Sequence, residues 1–348
     1  MSKRPPRNGE TIAKKQNTLL VDGNALFKRA FLGAKGLYNT EGIHIGGVYQ
    51  FLTLLRKILN EDLYHRVYVF WDGNLSGKLR YDIYKPYKSN RNKDYINGTH
   101  PIDESELLQR KMVWDYLNEM YIRQLQNEII EGDDFIATYC LLKKPTETIT
   151  IITSDRDMCQ LINEKIRIYF IDLKQYVDAY NYSSYFCHHH DNSVLIKTIA
   201  GDNSDMIKGI KGVKEKTLLK LFPILKERKV TLDEIIISAK EQQTERITNK
   251  KQPLKSLHNL INCITDGEQG KDIYSINERL VNLKKPMLTH ESLNELNELI
   301  DGTFEASGRE LKNVYRMMKE DGLDKEIGEI RYPDYLVPFK KLIDREII

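Results

Sequence analysis

Again and again the chain runs a short β-rich stretch into a carboxylate at a turn or helix start. Asp22 follows NTLLV, Asp72 follows VYVFW, and Glu131, Asp133 and Asp134 stand in IIEGDDFIA. Asp155 and Asp157 come next in IITSDRDM, then Asp202 and Asp205 in AGDNSDMIKG. The runs TLLVD, RVYVFWD, TITIITSD and KIRIYFID read as strands buried on at least one face. Between them, 48–59 and 104–117 carry helical apolar spacing. This alternation predicts an α/β fold, a mostly parallel sheet flanked by helices. Neighbouring strand ends in such a sheet converge on one edge, so the nine carboxylates are expected to form one site.

Gathering them is costly without a cation. Two unit charges about 4 Å apart repel by roughly 4 kcal/mol at an effective dielectric near 20. All-oxygen ligation favours Mg²⁺ or Mn²⁺ over zinc, and such a cluster suits two-metal phosphoryl chemistry. Charge agrees with this reading only once it is divided. Without the nine carboxylates, 53 basic residues face 41 acidic ones, against a net +3 for the whole chain. An acidic pit on a basic body suits a polyanion, although a solvated surface has the same composition.

Other classes fall away. No apolar run approaches the ~20 residues that span a bilayer. The N-terminal MSKRPPRNGETIAKKQ is basic, lacks an apolar core, and reads as a flexible tail over 1–16 rather than a secretory signal. Cys140, Cys159, Cys187 and Cys263 form no CxxC pair and read as reduced cytosolic thiols. There is no GxxxxGK[ST] phosphate loop, so no nucleotide cofactor is expected, and there is no nucleophile elbow.

Each acidic station also has a local reading. Asp22 and Asp72 stand where helix caps or turn residues stand, and acids in the first turn of 132–142 complement the helix dipole. Glu131 and Asp134, three apart, face one way while Asp133 points elsewhere. Asp155 can cap a short helix to Leu161 and still serve as a ligand. Asp202 and Asp205, also three apart, are expected on one helical face. After them, Gly209 and Gly212 bracket a tight turn, with Lys214, Lys216 and Lys220 on the next helix. That is a helix–hairpin–helix pattern, whose backbone groups hold DNA phosphates, often through a monovalent cation. The segment KLRYDIYKPYKSNRNK (78–93) has six basic residues and one acid, with Tyr81, Tyr84 and Tyr87 among them. Basic residues meet phosphates and tyrosines offer stacking faces to unpaired bases. His188–His190, three adjacent histidines in a polar insertion over 181–192, are assigned to an exposed loop.

In order, LLVDGNALFKRAF, VFWDG, YKPYKSNR, IEGDDFIA, TSDRDMCQL and GDNSDMIKGIKGVKEKT resemble the 5′ nuclease (flap endonuclease) family over about 17–222. The likeness is to standalone bacteriophage-type 5′-3′ exonucleases and to the nuclease domain of bacterial DNA polymerase I. It implies a PIN-like domain at 17–190 with a helical arch at about 73–105. A helical region at 191–348 follows, with the hairpin element at about 199–222. It implies that Asp22, Asp72, Glu131 and Asp133 make one metal site and that Asp134, Asp155, Asp157, Asp202 and Asp205 complete the second. Lys88 and Arg91 would contact the scissile phosphate, and Tyr87 would stack on the terminal base. Gly209, Gly212, Lys214, Lys216 and Thr217 would grip duplex DNA and bind K⁺.

The expectation is therefore a cytoplasmic, monomeric, Mg²⁺-dependent 5′-3′ exonuclease and flap endonuclease. In a phage-encoded protein the compartment is the host cytoplasm. Its substrates would be DNA with 5′ flaps, nicks or RNA-primed ends, and Mn²⁺ would replace Mg²⁺. The alternatives are a catalytically silent DNA-binding module, which would lack carboxylates that are all present here, and an RNA-cutting PIN ribonuclease, usually much shorter.

Overall fold

A computed structural model describes residues 16–34, 36–91, 103–265, 272–302, 310–328 and 332–346. Of the tail expected at 1–16, only Gln16 falls among them, as the first residue of a strand; 92–102 of the expected arch lie outside them.

Six strands form one sheet: β1 (Gln16–Asp22), β2 (Arg66–Asp72), β3 (Arg123–Asn127), β4 (Glu147–Thr153), β5 (Ile166–Phe170) and β6 (Gln175–Val177). Their order is β3-β2-β1-β4-β5-β6, parallel throughout except β6. Alternation along β1 feeds two cores, since Leu19 and Val21 face one side of the sheet and Leu20 the other. On the first side lie α1 (Gly23–Gly33), α2 (Gly46–Glu61) and, beyond the short α3 (Lys78–Ile83), α4 (Glu104–Glu119). The apolar stripe of α2, Val48, Phe51, Leu52, Leu55, Ile58 and Leu59, is its buried face. Helix α5 (Gly132–Leu142) covers the second side through Phe135 and Ile136. The sheet matches the expected fold and strands; β3 and β6 are additions.

The histidines are half-buried rather than at an exposed tip. His188 and His190 pack on the ring of Tyr182, and Asp191 lies 3.9 Å from His189 and 3.8 Å from His190. Next come α6 (Ser193–Ala200), the two-residue strands β7 (Gly201–Asp202) and β8 (Ile207–Lys208), α7 (Glu215–Leu221), α8 (Leu232–Thr248) and α9 (Lys255–Ile261). They share a core of their own that includes Ile199, Val213, Leu218, Phe222 and Leu260. Asp202 and Asp205 therefore sit on a hairpin, not on a helical face, because Gly201 ends α6. Gly209 is required here: a Cβ would come within 2.1 Å of the Ala200 carbonyl group.

Helix α10 (Asp272–Val281) stays with the α6–α9 unit, Asn277 donating to the Thr198 carbonyl at 3.1 Å and the Lys208 carbonyl at 2.8 Å. The last helices, α11 (His290–Asp301), α12 (Leu311–Glu320), α13 (Asp324–Ile327) and α14 (Tyr332–Glu346), return to the sheet domain. Leu296 of α11 joins the second core, while Val314, Met318 and Phe339 join the first. Arg123 of β3 donates to the Leu299 carbonyl at 2.6 Å and the Gly302 carbonyl at 2.8 Å. The expected helical region is thus divided: α6–α9 build a separate core and α11–α14 complete the sheet's. Among the described residues no helix is long and apolar enough to cross a membrane. Phe339 is fully buried, so Phe339→Ala should cost about 3–5 kcal/mol in urea unfolding. A loss below about 1 kcal/mol would mean that α14 does not complete the core.

Candidate metal centre

Four aspartates meet at the carboxyl edge of the sheet. Asp22 caps α1, its Oδ1 accepting from the Ala25 amide at 2.9 Å and its Oδ2 from the Thr153 hydroxyl at 2.8 Å. Asp72 Oδ1 accepts from the Gly132 amide at 2.8 Å, which ties β2 to the start of α5. Asp133 stands in the first turn of α5. Asp155 follows β4, and its Oδ1 accepts from the Asp157 amide at 2.8 Å. With Glu131 they line a cleft of about 540 Å³ whose lining also includes Lys28, Arg91, Arg110 and the buried Lys88.

Burial and neighbouring acids together favour the protonated forms of Asp22 and Asp133. Burial, with the charges of Asp72 and Asp155, raises Asp22 to about 7 despite the Ala25 amide. Burial and then Asp22, Asp155, Asp72 and Glu131 push Asp133 well above the carboxylate range.

Glu131 is neutralised instead. It receives Nη1 of buried Arg80 at 2.6 Å, the Tyr87 hydroxyl at 3.1 Å and the ammonium of Lys88. Burial opposes its ionisation, yet Lys88 and Arg80 bring it down to about 2. Asp134 faces the same guanidinium, at 2.5 Å (Nη1) and 2.9 Å (Nη2), and its Oδ1 also accepts from the Met287 amide at 3.0 Å. Glu131 and Asp134 do share a direction, as their spacing predicts, but Asp134 is spent on Arg80 and is not brought to the cleft. Its expected ligand role is corrected accordingly. Tyr87 is corrected too: it is 2% exposed, packed with Ile207, Leu280 and Val281, and presents no stacking face.

A second group surrounds Lys197 of α6. Its ammonium pairs with Asp157 and lies 2.5 Å from Asp202 Oδ2. Asp202 also accepts from the Ser204 amide at 2.8 Å and is lowered to about 2 against burial, mainly by Lys197. Burial and Asp155 raise Asp157 to about 7. Asp205 is raised by burial and pairs with Arg91 at 2.8 Å. Asp155 influences both Asp22 and Asp157, so it stands between the two groups.

Gly212, Lys214 and Lys216 lie exposed on the turn before α7 and on its first residues, with Gly209 and Thr217 partly so. Lys214 reaches Asn203 Oδ1 at 3.2 Å. The Lys88 amide donates to the Asp205 carbonyl at 3.0 Å, joining the arch base to this hairpin.

Residues 17–186 match the family described as 5′-3′ exonuclease, N-terminal resolvase-like domain. That match spans 170 of the chain's 348 residues. The thermostable DNA polymerase I of Thermus caldophilus is 30% identical over 211 residues, 60% of this chain. The chain spans 24% of that polymerase's length. A 5′-3′ exonuclease of Mycoplasmopsis pulmonis is 28% identical over 246 residues, 70% of this chain and 79% of the relative. In fold, a T5 5′-exonuclease structure with bound zinc aligns with a TM-score of 0.58 at 16% identity, covering 88% of this chain and 99% of that one.

Arg80, paired with Glu131 and Asp134, and Lys197, paired with Asp157 and Asp202, stand among these carboxylates and have no counterpart in the sequence-based expectations. In the sequence Arg80 is one of six basic residues in the 78–93 segment. Lys197 carried one signal, a lone cation in the apolar run SVLIKTIA ahead of Asp202. The donors suit a hard divalent cation, because all are carboxylates and Asp22 and Asp133 are crowded without a counter-charge.

Asp22 sets the sign of a pH effect. Its folded value of about 7 exceeds the ordinary 3.8, so the native state binds a proton that the unfolded chain releases. Stability of the metal-free protein then falls as pH rises from about 4 to about 7. In EDTA, Asp22→Asn should raise the melting temperature near pH 8 and lose the advantage near pH 4. A gain independent of pH would contradict the crowding.

Proposed function

We propose that the chain is a divalent-metal-dependent, structure-selective 5′ nuclease, with Mg²⁺ its working ion and Mn²⁺ a substitute. It hydrolyses phosphodiesters at 5′ flaps, nicks and RNA-primed ends, by both exonucleolytic and flap-endonucleolytic cleavage. The observation that carries this reading is the carboxylate cluster, assembled from three strand ends and one helix start beside Lys88 and Arg91.

Asp22, Asp72, Glu131 and Asp133 would hold one ion and Asp157, Asp202 and Asp205 the other, with Asp155 serving between them. When bound, such a pair supplies an acidified water and neutralises charge on the attacking and leaving oxygens. The protein's own groups do the positioning. The Gly132 amide and Thr153 hydroxyl fix Asp72 and Asp22. Lys88 and Arg91, paired with Glu131 and Asp205, would neutralise phosphoryl oxygens in the cleft. The leaving oxygen belongs to the upstream sugar, so products carry a 5′ phosphate. Gly209, Gly212, Lys214, Lys216 and Thr217 hold the duplex, with K⁺ at the hairpin backbone. Their link to Lys88 through Asp205 sets the spacing between duplex and cleavage point.

Two variants test this. Asp155→Asn should abolish cleavage of a 5′-labelled flap in Mg²⁺ while leaving binding measurable in Ca²⁺; wild-type turnover would remove the metal assignment. Lys88→Ala should lower single-turnover cleavage by about 10²–10³ with a much smaller affinity change. Equal losses would make Lys88 a binding residue only.

A further inference from the structure

The cations around the cleft differ in their partners. Lys88 rests on Glu131 and Arg91 on Asp205, so both have a carboxylate within contact. Arg110 of α4 has none among the described residues. Its guanidinium lies 5.0 Å from the ring centroid of Trp71, and Nη2 donates to the Asp72 carbonyl oxygen at 2.7 Å. Trp71 is fully buried, stacked on Phe51 with ring centroids 5.9 Å apart, so the platform beneath Arg110 is rigid. A guanidinium on an aromatic face with one donor fixed loses little freedom on binding an anion, and it has further N–H groups to offer. Asp72 and then Glu106 attract Arg110, neither in ion-pair contact with it among the described residues. Lys28 of α1, exposed, lines the same cleft.

This makes a second basic edge, beside Asp72, where the first lies beside Glu131 and Asp205. A strand whose scissile phosphate sits over the carboxylates carries further phosphates on both sides of it. We propose that Arg110, with Lys28, contacts a backbone phosphate of the substrate strand next to the scissile one, on the Asp72 side of the cleft. The inference rests on the nuclease reading of the same site. Arg110 is then a substrate-contacting residue pre-set by Trp71 and the Asp72 carbonyl, and Arg110→Lys keeps its charge while giving up the stack.

Salt dependence separates this role from a structural one. Each phosphate contact contributes about 0.7–0.9 to the slope of log affinity against log salt concentration. The measurement is fluorescence anisotropy of a labelled duplex with a 5′ single-stranded overhang, in EDTA, across a range of KCl. Arg110→Met keeps an apolar stem on Trp71, and Lys28→Met changes only an exposed side chain. Each should lower the slope by about 0.7–0.9, whereas Arg110→Lys should keep it. An unchanged slope in both methionine variants, with wild type still binding, overturns the inference and leaves the nuclease reading standing. Absence of salt-dependent DNA binding by the wild type overturns both.

Discussion

Burial of carboxylates beside one another at one sheet edge is the constraint to which the rest of this structure answers. Burial first, and then the neighbouring acids, disfavour the ionised forms of Asp22 and Asp133. The molecule meets that cost in two ways. Glu131, against Lys88 and Arg80, and Asp202, against Lys197, are held ionised, both at about 2, whereas Asp157 on the same Lys197 is still raised to about 7 by burial and Asp155. Where no lysine or arginine is built in, the acids are left crowded and take up protons, as Asp22 does at about 7. The crowded acids lie directly at the strand ends, the part of the cleft with most to gain from a divalent cation.

Arg80 connects this balance to the fold. Besides Glu131 and Asp134, it donates from Nε to the Leu280 carbonyl at 2.8 Å. Gln160 donates to the Val281 carbonyl at 2.8 Å and accepts from the Leu283 amide at 2.9 Å. The end of α10 and the segment after it are therefore bonded to α3, to α5 and to the turn after β4. Removing one partner from such a buried network costs about 3–5 kcal/mol, because the charges left behind are uncompensated. The C-terminal helices thus stiffen the site without adding a ligand to it.

Much of this was legible in the sequence. TLLVD, RVYVFWD and TITIIT announced central strands because both faces are buried, and the acids after them had to share an edge. The split of Glu131 and Asp134 from Asp133 followed from helical spacing alone. Other features had no local sign. Strand β3 is RQLQN, an edge strand with one large apolar residue, and its pairing depends on β2 and α11 rather than on its own pattern. Gly201 carries φ +71 and ends α6 early, which moved Asp202 and Asp205 from a helix to a hairpin. Tyr87 belonged to a basic, tyrosine-rich run, and only tertiary packing shows its ring turned inward. Pairings such as Arg80–Asp134, 54 residues apart, lie beyond any periodicity.

The most direct test of the electrostatic account is calorimetric titration of Mg²⁺ into EDTA-stripped, dialysed protein, repeated near pH 7 in buffers of different ionisation enthalpy. Crowded carboxylates must shed protons when a cation enters. The account predicts saturable binding accompanied by proton release that shrinks as pH rises toward about 9. Binding without proton release, or no saturable heat at all, would contradict it.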